Sequence, residues 1–299
     1  MFVFELLRAL FLGIIEGITE WLPISSTGHI ILFDEFCPMT VGENLHPDFP
    51  SEFMSMFEVV IQLGAIMAVA VIFWSKLWPF SRKKSEAERQ NIRQTWFKVA
   101  FASMPAAIVG IVLDKIIEKA TGKDIDGWLY NGTTVALMLI IYGVLFILIE
   151  RINMKKAPKI TDISQISYKI AFLLGIFQML AIIPGTSRSG AIILGAIVIG
   201  FSRNCGAEFS FFMGIPAMVG GSAVKTLGFL KFVSGENSLS ARIDVPLEAW
   251  IILALASAVA FAVSMIAIRF LMNFVKKHSF TPFGIYRIVL GTVLLVYFL

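Results

Sequence analysis

The chain has 299 residues, of which 57% are hydrophobic and only 15% charged, with a mean hydropathy of +0.81. Soluble domains carry about 25% charged residues, so composition excludes a soluble globular protein and predicts several membrane spans of about 20 residues each. The net charge of +4 is too modest for a nucleic-acid-binding protein, and 3 histidines with 2 distant cysteines, Cys37 and Cys205, suit neither a structural zinc site nor a disulfide framework.

In chain order, the N-terminus runs Met1-Phe-Val-Phe-Glu5-Leu-Leu-Arg8 without a basic leader or a small-residue cleavage site, and is read as part of the mature protein. Residues 4–33 are apolar at both ends and polar in the middle, with Glu16-Gly-Ile-Thr-Glu20-Trp-Leu-Pro23-Ile-Ser25-Ser26-Thr27-Gly28-His29 at the centre. A continuous span would set these ionisable groups against lipid, whereas a pair of half-helices can bury the broken backbone in protein or around a cavity. Apolar stretches follow at 57–78, at 97–113 (short, with Pro105) and at 133–150. Residues 169–200 repeat the polar-centred pattern with Gln178-Met-Leu-Ala-Ile-Ile-Pro184-Gly185-Thr186-Ser187-Arg188-Ser189-Gly190, and further stretches lie at 207–230, 247–272 and 282–299. The expected fold class is an all-α integral membrane protein with six transmembrane helices plus two re-entrant helical hairpins.

Loop charge orients these elements. The loop 75–98 carries Lys76, Arg82, Lys83, Lys84, Arg89, Arg93 and Lys98, the loop 150–169 carries Arg151, Lys155, Lys156, Lys159 and Lys169, and Lys276 and Lys277 follow later; all three are expected on the cytoplasmic side. Residues 34–58 hold Asp34, Glu35, Glu43, Asp48, Glu52 and Glu58 without Lys or Arg and belong outside. The alternation closes only if both polar-centred segments are re-entrant, the first from outside and the second from the cytoplasm.

A weak internal repeat agrees. Leu12-Gly13-Ile-Ile-Glu16 resembles Leu174-Gly175-Ile-Phe-Gln178, each followed by a proline and then hydroxyl residues, and Glu58 precedes Gly64 by the same spacing as Glu208 precedes Gly214. Interrupted segments in two oppositely oriented halves mark inverted-topology repeats around a midplane site. The halves are expected at 1–155 and 156–299 of a single membrane domain.

Glu16 and Glu20 lie one turn apart on a helix face, which suits either general acid–base work or a Mg²⁺ or Ca²⁺ site. Ser25, Ser26 and Thr27 can cap the half-helix after Pro23, whose free amides seat an anion. His29 follows within one turn, and a hydroxyl beside an imidazole fits a nucleophile and its base; equally, the hydroxyls can be caps alone and His29 a satisfied interior group. In the second segment Gly185 allows close approach, Ser187 and Ser189 donate, and Arg188 grips phosphate with a planar fork. A purely structural Arg188 would need an acid partner, which Glu16 or Glu20 can supply. For Glu58, Gln62 and Glu208 near span starts, a structural role is favoured over a catalytic one, with Glu58 a weak exception.

Together with Phe57-Glu-Val-Val-Ile-Gln-Leu-Gly64, Ser202-Arg203, Ala207-Glu-Phe-Ser-Phe211 and Pro282-Phe-Gly-Ile-Tyr-Arg287, the two polar motifs make the whole chain resemble the undecaprenyl-diphosphate phosphatases of the bacitracin-resistance type. It departs at Ile192, where the family often has Thr. The resemblance implies a bacterial plasma (inner) membrane enzyme, multi-pass, with its active site facing outside. Such an enzyme removes the terminal phosphate of undecaprenyl diphosphate and so recycles the lipid carrier of peptidoglycan and other envelope polymers. It further implies a divalent cation, a homodimer, and competition with bacitracin, which binds the lipid substrate. By motif position the catalytic set is Glu20, Ser26, His29 and Arg188. The phosphate-binding set is Ser25, Thr27, Gly185, Ser187, Arg188 and Ser189, and the metal set Glu16 and Glu20. The expected reaction is attack by Ser26, assisted by His29 or Glu20, with His29 or water as alternative nucleophiles. The rival class is a secondary transporter or lipid translocase, which shares the repeats and broken helices but does not need this density of hydroxyl, carboxylate and imidazole groups.

Overall fold

A computed structural model describes residues 2–122, 127, 129–153, 156–235 and 242–298. Among these the secondary structure is helical, apart from one isolated parallel bridge, Ile160 to Phe201. Ten helices carry the architecture: α1 Phe2–Thr19, α2 Ser26–Phe36, α3 Phe49–Ile72, α4 Glu86–Thr121, α5 Gly132–Asn153, α6 Tyr168–Met179, α7 Arg188–Ile199, α8 Arg203–Ser234, α9 Leu247–Phe274 and α10 Thr281–Phe298. Six of them, α3, α4, α5, α8, α9 and α10, are long and apolar enough to cross a membrane. The protein is multi-pass.

Two boundaries differ from the hydropathy reading. Helix α4 has 36 residues rather than the short 97–113 stretch, so Arg89, Arg93 and Lys98 lie on a helix and not in a loop. A capping box starts it, with the Ser85 hydroxyl accepting from the Glu88 amide and the Glu88 carboxylate accepting from the Ser85 amide at 2.7 Å. Pro105 stays inside the helix, as membrane helices allow. Helix α3 starts at Phe49 rather than 57, with Pro50 in its first turn, where the missing N–H costs nothing.

The shorter helices come in two pairs that fold back on themselves. Thr40, just past α2, donates its hydroxyl to Glu5 in the first turn of α1 at 2.7 Å, so α1 begins where α2 ends. At the opposite end Lys159 and Ile160, which precede α6, donate amides to Gly200, which follows α7. The tips of the pairs are residues 20–25 and 180–187, and both break through the same device. Ser25 and Ser187 adopt positive φ, 73° and 69°, and each hydroxyl accepts the amide of the glycine at i+3, Gly28 or Gly190. A β-carbon makes this backbone strained, at about 1–3 kcal/mol, so both serines are held there by what surrounds them.

Much of what surrounds them is one side chain. Arg287 of α10 is fully buried and donates to the Pro23 carbonyl (3.2 Å) of the first tip and to the Gly185 (2.7 Å) and Thr186 (3.0 Å) carbonyls of the second. Its guanidinium carbon lies 5.5 Å from the centre of the Tyr142 ring. It reaches this depth because α10 and α5 pack through glycines: a Cβ on Gly143 or Gly284 would lie 2.7 Å from the other's carbonyl oxygen.

Arg287→Leu would strip those three carbonyls of their donor, at about 1–3 kcal/mol for a buried group left unsatisfied. The expected result is a lowered thermal-unfolding midpoint in detergent, partly recovered in Arg287→Lys. An unchanged midpoint in Arg287→Leu would rule out the latch.

Candidate active site

The two tips meet at Glu20. One carboxylate oxygen accepts the Ser26 hydroxyl at 2.9 Å, and the other takes Arg188 Nη2 at 2.9 Å. The Glu20 backbone carbonyl accepts from the Ser189 hydroxyl at 3.1 Å. Arg188 is steadied from behind, its Nη1 donating to the Ser210 carbonyl at 3.0 Å. A Cβ on Gly214 would come within 2.7 Å of both terminal guanidinium nitrogens, so the absence of a side chain there makes room for the fork.

This cluster opens on a cavity of about 210 Å³, lined among others by Glu20, Ser26, Thr27, Gly185, Ser187 and Arg188. Through Ser26, Thr27, Val59 and Gln62 it continues into a vestibule of about 570 Å³, which reaches Asp34, Ser51 and Tyr130 at the acidic-loop end. A carboxylate, a hydroxyl and a guanidinium with little exposure, beside space open to one end of the molecule, can bind a phosphate and deprotonate a nucleophile.

Three residues expected at this surface do not line it. Ser25 is buried, its hydroxyl spent on the Gly28 amide and its carbonyl on His29. Ser189 is buried and faces the Glu20 backbone. His29 does not meet the Ser26 hydroxyl: Nδ1 lies 2.7 Å from the Ser25 carbonyl and Nε2 2.7 Å from the Tyr286 hydroxyl, with the two rings parallel at 5.6 Å. A carbonyl can only accept, so Nδ1 carries the proton and Nε2 takes the tyrosine hydroxyl.

Glu16 is also fully buried, away from the cavity lining, and neither carboxylate oxygen has a hydrogen-bond partner among the described residues. Among the described residues no group of three His, Cys, Asp or Glu gathers as a metal cage.

Other contributors stand in runs quoted above without being assigned a role in the site. Arg287 had no local signal beyond its place in a family-like run. Tyr286, Ser210 and Gly214 act only through neighbours far away in sequence. Glu58 and Gln62 had a signal, because one helical turn apart they share the α3 face that lines the vestibule. Glu58 also accepts from the Tyr130 hydroxyl at 3.0 Å.

A family model described as "Bacitracin resistance protein BacA" matches residues 9–293. Curated relatives named "Undecaprenyl-diphosphatase" include one from Enterococcus faecalis, 50% identical over 99% of this chain and 98% of the relative. Another, from Acetivibrio thermocellus, is 49% identical over 99% and 98%, and one from Streptococcus thermophilus is 48% identical over 99% and 94%. With its two helix-break motifs joined at Glu20 and with relatives this close along their whole length, the chain belongs to the bacitracin resistance protein BacA family.

Proposed function

We propose that this protein is an undecaprenyl-diphosphate phosphatase of the bacterial plasma membrane. It converts undecaprenyl diphosphate to undecaprenyl phosphate and inorganic phosphate, recycling the carrier lipid and conferring bacitracin resistance. The observation that carries the reading is the single Glu20 carboxylate shared by the Ser26 hydroxyl and Arg188. The geometry suits Glu20 as the base. It takes the Ser26 proton as the hydroxyl oxygen attacks the terminal phosphorus, the bridging P–O bond breaks toward the prenyl phosphate, and water then frees phosphate from Ser26. Arg188, with Ser187, Thr27 and the amides of the α7 start, balances the growing charge on the phosphoryl oxygens. His29, held between the Ser25 carbonyl and Tyr286, orients the turn that carries Ser26 and does not serve as the base.

The divalent cation fits the residues present. Glu16 contributes two buried oxygens that find no donor among the described residues, Glu20 lies one turn away, and a hard cation commonly takes one or two carboxylates plus substrate phosphates. Mg²⁺ or Ca²⁺ held there would neutralise diphosphate charge.

The two short helix pairs are proposed as re-entrant hairpins in two inverted halves, 1–155 and 156–299. Support comes from the matched serine caps and from the packing: α1 lies along α9 while α6 lies along α4, and α3 pairs with α8 as α5 pairs with α10. Gly13 abuts the Ala256 carbonyl as Gly175 abuts that of Ala102. The acidic-loop end, where the vestibule opens, is proposed as the outer face. A homodimer is carried over from the family resemblance alone. A translocase would need a binding site only; a carboxylate bonded to a hydroxyl beside the phosphate clamp favours the enzyme.

Purified protein in detergent is expected to release phosphate from undecaprenyl diphosphate and to lose that activity with a metal chelator. Loss of one preorganised donor costs about 10²–10³ in rate, so Arg188→Ala should fall at least that far, and substantial retained activity would count against the site. Acid-quenched enzyme given terminally labelled substrate should carry label on Ser26; label on His29, or none, would replace the serine step. A membrane-impermeant maleimide should modify exposed Cys37 on intact cells and spare buried Cys205. Labelling of Cys37 only after permeabilisation would reverse the orientation.

A further inference from the structure

At the end of the molecule opposite the acidic loop, four stretches of chain converge on a separate cavity. The last residues of α5, the segment 156–159, the turn from α7 into α8 and the residues just past α9 enclose about 470 Å³. Small-ligand sites usually span about 300–1,000 Å³. Lys156, Lys159, Arg203 and Lys276 line it, and among the described residues in its wall Glu150 is the only acidic one. That carboxylate is already neutralised. Arg203 grips it through Nε at 2.8 Å and Nη2 at 2.6 Å, and the Phe280 amide donates to it at 2.9 Å. What still faces the cavity is cationic.

No structural bond accounts for these cations. The side chains of Lys156, Lys159 and Lys276 have neither an ion pair nor a hydrogen bond among the described residues. Lys159 is laid along Gly200, where a Cβ would lie 3.7 Å from three carbons of its stem. Arg203 Nη1, the other edge of the fork, is also without a partner among the described residues. Beside it the Asn204 side-chain oxygen is buried and finds no partner there either, and half a turn of that amide would present its N–H groups instead. Arg203 and Asn204 also open α8, so their backbone amides have no carbonyl within the helix. Ammonium, guanidinium and amide donors thus gather at one cavity for which the described residues supply no acceptor. Membrane orientation alone asks for basic loops, but not for their convergence on a cavity.

We infer that this cavity seats the phosphate group of an anionic phospholipid from the leaflet at the basic end of the molecule. Position favours a lipid over free phosphate. Val198 in the cavity wall, and Ile152 next to the lining residue Asn153, are both more than half exposed, as apolar residues facing lipid are. Basic pockets between membrane helices at such an end suit acidic headgroups. A headgroup bound here would tie the ends of α5, α7, α8 and α9 together, far from the latch at the tips. The lining shares no residue with the cavity of Glu20, Ser26 and Arg188, so the inference does not rest on the phosphatase reading.

The test is native mass spectrometry of the purified protein with added phosphatidylglycerol, phosphatidylcholine or inorganic phosphate, read beside the thermal-unfolding midpoint. The unaltered protein should retain phosphatidylglycerol, release phosphatidylcholine, and unfold at a higher temperature with the former. A basic side chain near anionic lipid is worth about fivefold in affinity, so Lys159→Gln combined with Lys276→Gln should weaken retention by about 25-fold. Because these lysines hold no other group, the midpoint without lipid should stay where it is. Arg203→Lys keeps a cation for Glu150 but loses the free edge of the fork, and should weaken retention as well. Arg82→Gln combined with Lys83→Gln removes the same charge from a basic loop that does not line the cavity, and should leave retention unchanged. Equal loss in that control pair would reduce the site to diffuse surface charge. Equal retention of phosphatidylcholine would make it a general lipid contact, and an equal rise in midpoint with inorganic phosphate alone would give the cavity to a free anion. Any of the three overturns the assignment.

Discussion

A buried cation with no carboxylate partner among the described residues ties this molecule's two helix breaks together. Arg287 is paired with carbonyl dipoles and the face of Tyr142 rather than with an acid, so its charge is solvated by the backbone of the helix breaks. Breaks of this kind are expensive in lipid because their carbonyls have lost helical donors. The guanidinium supplies donors to carbonyls of both breaks at once, and the breaks in turn supply the polar environment a buried guanidinium requires. Each solves the other's problem, which makes the tips and α10 a single unit.

The Glu20–Arg188 pair depends on that unit and has a double character. A buried ion pair across two helix breaks is what a purely architectural role would produce, and removal of either partner would leave a charge uncompensated. The Ser26 hydroxyl on the other Glu20 oxygen and the cavity beside it carry the pair beyond architecture. A carboxylate that holds its arginine through one oxygen keeps the second for proton transfer. The strained caps at Ser25 and Ser187 serve the same end, since they turn the chain so sharply that residues just after them, Ser26 and Arg188, face one space.

The membrane sets the remaining logic. Without a hydrophobic force between helices, close approach through small residues does much of the packing, and Gly143, Gly284 and Gly291 provide it. Where nothing stands opposite, as at Gly220 and Gly228 of α8, a glycine brings no neighbour within 4 Å of where its Cβ would lie. Tight and loose regions of the same bundle thus share one residue type and differ only in what stands opposite.

Much was legible from residues alone, and for a local reason. Hydropathy runs, loop charge and the polar breaks are properties of short stretches, so the helical class, all six apolar spans and the motifs around Glu20 and Arg188 could be read directly. The start of α4 was also local, written as Ser85-Glu86-Ala87-Glu88, but a charged helix end beyond the apolar run is invisible to hydropathy. What the tertiary structure decided was the direction of side chains across long separations in the chain. It turned Ser25 and Ser189 behind the reactive surface, gave His29 to Tyr286, and brought Arg287 to both tips. Spacing within a motif determines which groups share a face of a helix, but only the packing of distant helices determines what that face meets.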